Sequence, residues 1–144
     1  MTKSNPHLRE FQFPADYPQV IDLWEHAGSG IHVRRSDQYA EIEKKLQRDP
    51  DLFLVIEDQG KIVGSVLGGF DGRRGLVYHL AVAEDYRQQG IGAGLMAELE
   101  RRLKEKGCIR CYLLVTNENE TAMRFYERSG WEEMNLHVYG KDLA

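Results

Sequence analysis

The chain has 144 residues, 42% of them apolar and 29% charged, which suits one ordinary globular domain with its own core. Its net charge of −4 argues against wholesale binding to nucleic acid or an anionic membrane surface, so an anionic ligand must be held by local charge. Met1–Glu10 lacks the apolar stretch of a signal peptide and no run approaches a membrane span, so one cytoplasmic domain over residues 1–144 is expected.

Arg9 to Phe13 reads as a short strand with Phe11 and Phe13 on one face. Asp16 is placed to cap a helix carrying Val20, Ile21 and Trp24, and Gly28-Ser29-Gly30 ends it. His32 to Arg35 leads to Ser36, a second candidate cap. Tyr39, Ile42 and Leu46 then mark an amphipathic helix closed by Asp49-Pro50. Arg34 and Arg35 can be solvated loop charges or partners for an acidic group.

Leu52–Glu57 and Ile62–Phe70 are strands joined by an Asp58-Gln59-Gly60-Lys61 hairpin turn. Gly64, Gly68 and Gly69 interrupt the second strand and suggest a bulge. A tight turn over Asp71–Gly75, bearing Arg73 and Arg74, leads to a third strand of this meander, Leu76–Ala83.

Arg87-Gln88-Gln89-Gly90-Ile91-Gly92 then opens a long helix whose apolar stripe is Ile91, Leu95, Met96, Leu99 and Leu103. Glu98/Arg102 and Glu100/Lys104 are opposite-charge pairs four apart, and Gly107 supplies a left-handed cap. The first amides of a helix lack internal partners and carry partial positive charge. With bare glycines beside them and Arg87 at the rim, they form a cradle for phosphate or pyrophosphate, unless the glycines serve only tight packing. A dinucleotide fingerprint is excluded because Leu95 stands where its third glycine is needed, and no Walker Gly-Lys-Ser/Thr run exists.

Arg110–Val115 reads as a strand parallel to the one before the helix, because a crossover helix joins them. Cys108 and Cys111 follow a helix end instead of opening one, and no second cysteine pair completes a metal site, so reduced thiols and no metal are expected. Thr121–Arg128 is a short helix, and Trp131–Glu133 and Leu136–Lys141 read as two last strands.

The Arg87–Gly92 run resembles the Q/R-x-x-G-x-G/A signature of the GNAT superfamily of N-acetyltransferases. Asn119 to Trp131 is similar to that family's N-x-x-A-x-x-F-Y-x-x-x-G-F motif, with Trp131 in place of the last phenylalanine. Gly68–Gly75 resembles the corresponding segment of the YpeA-like bacterial acetyltransferases. The resemblance implies an α/β (α+β) fold with a mostly antiparallel sheet of six to seven strands, about four helices, and strands four and five parallel and splayed. It implies acetyl-CoA as cosubstrate and a small-molecule or peptide amine as acceptor, in a monomer or homodimer.

Carried over by position, the resemblance assigns coenzyme A to Leu80, Ala81 and Val82, to Arg87, Gln88, Gln89, Gly90, Ile91, Gly92 and Ala93, and to Asn119. The first two helices border the acceptor. Tyr126 matches the tyrosine near the sulfur and is the expected proton donor, a phenol being protonated at neutral pH. The Val82 amide is the expected oxyanion donor. No base matches: Tyr78 and Leu76 stand where many relatives carry glutamate or histidine, and Leu114 where another glutamate would be. A water relayed by backbone or Tyr78 is the expected route. His79, which alternation turns to the opposite face, is a further candidate, as are Asp71 and Glu118. A noncatalytic acyl-CoA module and a nucleotide-binding domain remain as alternatives.

Overall fold

The computed structural model describes residues 5–28 and 31–144, so the Ser29-Gly30 part of the expected helix stop lies outside the described residues. These fall into two units, one running to Leu114 and the other Val115–Ala144.

The first unit is a five-stranded sheet in sequence order: β1 (His7–Glu10), β2 (Phe53–Asp58), β3 (Lys61–Phe70), β4 (Gly75–Val82) and β5 (Cys111–Leu113). Helices α1 (Tyr17–Glu25), α2 (Tyr39–Arg48) and α3 (Ile91–Glu105) accompany it. The pairings are antiparallel except β4–β5, which is parallel through Gly75↔Cys111, Leu76↔Tyr112 and Val77↔Leu113. Gln59 (φ 53°) and Gly60 (φ 77°) both take left-handed conformations between β2 and β3, the geometry of a tight hairpin turn.

Alternation along β2 splits the core into two layers. Phe53 and Val55 join Phe11, Val20, Trp24 and Ile42 on the α1 side, where Phe53 stacks on Phe11 at 4.1 Å between ring centroids. On the other face α3 presses Ile91, Leu95 and Leu99 onto β3. A Cβ at Gly64 would lie 2.9 Å from Ile91 Cγ2, and one at Gly68 would lie 2.6 Å from Leu99 Cδ1. These two glycines therefore admit the helix. Gly64 also flanks a β3 irregularity, since Ile56 pairs with Gly64 but Glu57 with Ile62, so its reading as a bulge marker holds, whereas Gly68 and Gly69 sit in regular pairing opposite Val77 and Leu76.

The helix ends are partly as expected. Gly107 (φ 92°) closes α3, with Cys108 N–H donating to the Leu103 carbonyl and Gly107 N–H to that of Lys104, both 3.0 Å. Asp16 stands at the α1 cap position, yet its carboxylate caps nothing. It accepts from Arg9 at 2.6 and 3.0 Å and from the Gln12 amide at 2.7 Å. Ser36 does not cap α2 either. It sits in a 3₁₀ turn over Arg35–Asp37, and the α2 cap is Gln38.

The second unit contains α4 (Glu120–Arg128), capped by the Asn119 side chain, which accepts from the Ala122 amide at 3.2 Å. The expectation of six to seven strands is corrected to five among the described residues: neither Trp131–Glu133 nor Leu136–Lys141 is a strand. Their apolar residues suggested strands, but a strand exists only where a neighbour supplies ladder hydrogen bonds. Leu136, Val138 and Tyr139 are largely exposed instead.

Candidate functional site

A bulge in β4 organises the site. Leu67 faces Tyr78 and Ser65 faces Ala81, so His79 and Leu80 together oppose Val66. His79 takes a left-handed φ of 48° to make this turn. The inserted residue reverses the faces. Gly75 lies against Leu103 and Cys108 on the α3 side, whereas His79 and Ala81 pack with Trp24 on the α1 side. Simple alternation, which separated Tyr78 from His79, is thereby overturned.

His79 is anchored. Its Nε2 lies 3.0 Å from both carboxylate oxygens of Asp37, and its ring rests 4.5 Å from that of Trp24. Asp37 is buried, accepts from the Arg34 amide at 3.0 Å, and its carbonyl accepts from the Tyr17 hydroxyl at 2.9 Å. No local signal pointed to Asp37, because 42 residues separate it from His79 and no short motif contains both.

Past the bulge, Ala83 N–H donates to the Val63 carbonyl at 2.8 Å. Antiparallel alternation then turns the Val82 N–H away from β3. On that side β5 pairing has already stopped at Val77, so the Leu80–Val82 edge has no ladder partner among the described residues. The two parallel strands thus share only a short ladder, beyond which β4 continues paired with β3 alone among the described residues.

The α3 mouth follows. Gly90 is its left-handed N-cap (φ 82°) with no side-chain cap, and a Cβ there would meet nothing within 4 Å. The helix ladder begins with Gly94 N–H to the Gly90 carbonyl at 3.0 Å. The amides of Ile91, Gly92 and Ala93 therefore precede it, at the positive end of the helix dipole. Gln88 is also left-handed (φ 62°), and Gln89 holds the Asp85 carbonyl through Nε2 at 3.2 Å. Arg87 is tied down: its Nε donates to the Val82 carbonyl at 3.1 Å and its Nη2 to that of Ala27 at 3.0 Å. The guanidinium thereby fastens the end of β4 to the segment after α1 and leaves its positive charge beside the mouth.

In the second unit, Tyr126 stands on α4 between Phe125 and Trp131, with ring centroids 5.2 and 6.2 Å away. Burial pushes its phenol up to about 12, so it stays protonated across the physiological range. Among the remaining base candidates, Tyr78 is also raised by burial. Asp71 is lowered by the amides of Arg74 and Arg73, to which its Oδ1 is bonded at 2.7 and 2.8 Å, so it serves the turn. Leu114 is exposed just after β5. Cys108 and Cys111 are both free thiols, and burial raises Cys111 to about 11. Among the described residues no group of three or more His, Cys, Asp or Glu could hold a metal ion, and no helix is long and apolar enough to cross a membrane.

Comparison with known proteins places this geometry. Residues 17–131 match the model of the acetyltransferase (GNAT) family, across the division at Leu114. An acetyltransferase of Pectobacterium atrosepticum is 41% identical over 128 residues, 89% of each chain. One of Yersinia enterocolitica is 40% identical over 136 residues, 94% of each. Among solved structures, Ard1 from Thermoplasma volcanium superposes with a TM-score of 0.75 at 25% identity, covering 87% of this chain and 81% of its own. An aminoglycoside N-acetyltransferase in complex with CoA gives 0.74 at 17% identity, over 99% and 98%.

Proposed function

The chain belongs to the GNAT family of acetyltransferases, and from that premise we propose that it moves the acetyl group of acetyl-CoA onto a primary amine by direct attack. The observation that carries this reading is the α3 mouth: three amides ahead of the helix ladder, no capping side chain, and a bare Gly90, beside a β4 edge without a partner. The residues fit such a ligand. Amides of Ile91, Gly92 and Ala93 would hold the diphosphate, with Gln88 and Gln89 shaping the loop and Arg87 adding charge. Leu80 and Ala81 would offer backbone to the pantetheine arm, and Asn119 keeps its amide nitrogen for the same arm while its oxygen caps α4.

The bound thioester supplies the acetyl electrophile, and the protein's own groups manage charge and protons. The Val82 N–H, turned out from the β3 ladder, would stabilise the carbonyl oxygen as it becomes negative. Tyr126, kept neutral by burial, would donate a hydrogen bond and then its proton to the departing thiolate. Water near Tyr78, whose raised phenol relays without ionising, takes the amine's proton. His79 is fixed at the bulge by Asp37 through Nε2, which leaves its Nδ1 as the second candidate for that proton. Both cysteines are spectators in direct attack. One domain spanning residues 1–144 fits the family match that crosses Leu114.

The noncatalytic acyl-CoA reading draws on one observation, the lack of a carboxylate at Leu76 or Tyr78. Release of free thiol from acetyl-CoA in the presence of amines decides between the two. Amine-dependent release at several times the protein-free rate supports transfer. Tight CoA binding with no release above that rate leaves only the binding module.

A further inference from the structure

A cavity of about 420 Å³ opens in the first unit between the C-terminal half of α2, the β3–β4 turn and β5. That volume suits a small molecule. Nothing in the mechanism above uses it except Tyr78, which stands two residues before Leu80 on the strand leading to the bulge.

The cavity's charge is distinctive. Lys45, Arg48 and Arg74 line it, against the carboxylates of Asp49 and Asp71. Asp49 is consumed: Lys45 Nζ binds its Oδ2 at 2.6 Å, and both side chains are largely buried. Asp71 is turned into the β3–β4 turn by the Arg73 and Arg74 amides. Arg48 rests on the Phe70 carbonyl at 2.9 Å, with its Nε 3.9 Å from the Asp49 oxygen already bound by Lys45. Arg74 lies over the Tyr112 ring at 5.5 Å with no carboxylate paired to it among the described residues. Lys45 and the turn amides thus engage the two acids, Arg48 keeps partial contact with Asp49 and acts on Asp71 through space, and Arg74 lies over the Tyr112 ring in the cavity that Tyr78 also lines.

The glycine at 69 keeps that floor open. Its backbone is not left-handed, so no conformational demand explains it. A Cβ there would stand 3.0 Å from Lys45 Nζ and 3.9 Å from Tyr78 Cε2, in the mouth of the cavity.

Resting on the transfer reading, we propose that this cavity is the acceptor subsite and that the acceptor is an amine whose other end carries a carboxylate. The planar forks of Arg48 and Arg74 receive the acid, Tyr78 and Tyr112 flank the body, and the amine points along β4 toward Leu80. With Lys45, Arg48 and Arg74 set against Asp49 and Asp71, the lining disfavours a polycation such as an aminoglycoside in this pocket. The protein's negative net charge points the other way, toward cationic substrates, but a ligand in a cavity responds to the local charges first.

The test uses matched amines that differ only in the carboxylate: L-phenylalanine against phenethylamine, and alanine against ethylamine. Each is titrated into the full chain and followed by backbone amide shifts in nuclear magnetic resonance. The acid of at least one pair should bind at least tenfold more tightly than its amine, moving Gly69, Arg74 and Tyr112. Arg74→Gln and Arg48→Gln should each erase most of that preference, and Gly69→Ala should weaken binding without a charge change. Equal affinity within both pairs, no saturable shift with either acid, perturbations confined elsewhere, or an unchanged preference in both arginine variants overturns the assignment. The transfer reading is scored separately by thiol release. Acid-selective binding without release sinks transfer and leaves the pocket, whereas release that ignores the carboxylate does the reverse.

Discussion

Replacing Gly92 by glutamate separates a glycine that binds a ligand from one that merely packs. Gly92 is the second residue of α3, has ordinary helical backbone and is partly exposed. Alanine there recovers the helix cost of glycine, about 0.5–1 kcal/mol, and glutamate recovers most of it. A carboxylate in the first turn adds roughly 0.3–1 kcal/mol by facing the dipole. The variant should therefore melt about 3–6 °C above the wild type. Its affinity for CoA should move the opposite way. Displacing the diphosphate from two helix amides forfeits charge-assisted hydrogen bonds of about 1.5–3 kcal/mol each, a loss of at least about 100-fold in Kd. Gly92→Ala makes the same helical gain without the charge and should keep most of the affinity. Calorimetric titration with CoA beside thermal melts of all three proteins reads both effects. A folded Gly92→Glu protein that binds CoA within threefold of wild type would refute the cradle, as would alanine and glutamate variants that fail alike.

Tyr126→Phe should lower kcat by about 100-fold with CoA affinity unchanged, the size of a lost general acid; full turnover in the thiol-release assay removes Tyr126 from the chemistry. Gly68→Ala drives a Cβ to 2.6 Å from Leu99 Cδ1, so the Leu99 side chain or α3 must shift, and overpacking should cost about 1–3 kcal/mol in denaturant unfolding. A variant as stable as wild type would mean the helix seats more loosely than these contacts imply. Asp16→Asn should destabilise by about 2–3 kcal/mol, since it removes the carboxylate held by Arg9. For Asp16, burial raises the carboxyl, but the Arg9 hydrogen bonds and the Gln12 amide outweigh it and the net shift is downward. That stability is present above the ordinary carboxylate value and is lost as pH falls through the lower folded value, so the gap between variant and wild type should close below about pH 4. A gap that persists in acid would assign the loss to packing.

Much of this protein was legible in its sequence where one short stretch contains its own physics. The period of Ile91, Leu95, Leu99 and Leu103 with Gly107 behind it specified α3 and its Schellman close, because helix and cap are made by neighbours in the chain. The Gly90 mouth was equally local. Other features depended on partners far along the chain. Leu136, Val138 and Tyr139 have strand character, yet ladder hydrogen bonds must come from another segment, and none forms over those residues. Trp24, Ser65, Asp37 and His79 meet only when α1, β3 and β4 pack, with Trp24 Nε1 donating to Ser65 Oγ at 2.8 Å. The bulge opposite Val66 reversed which β4 side chains share a face, a one-residue slip that no alternation rule foresees. Lys45, Gly69, Arg74 and Tyr112 make one cavity for the same reason: tertiary packing alone decides which charges are neutralised by the protein and which are left for a ligand.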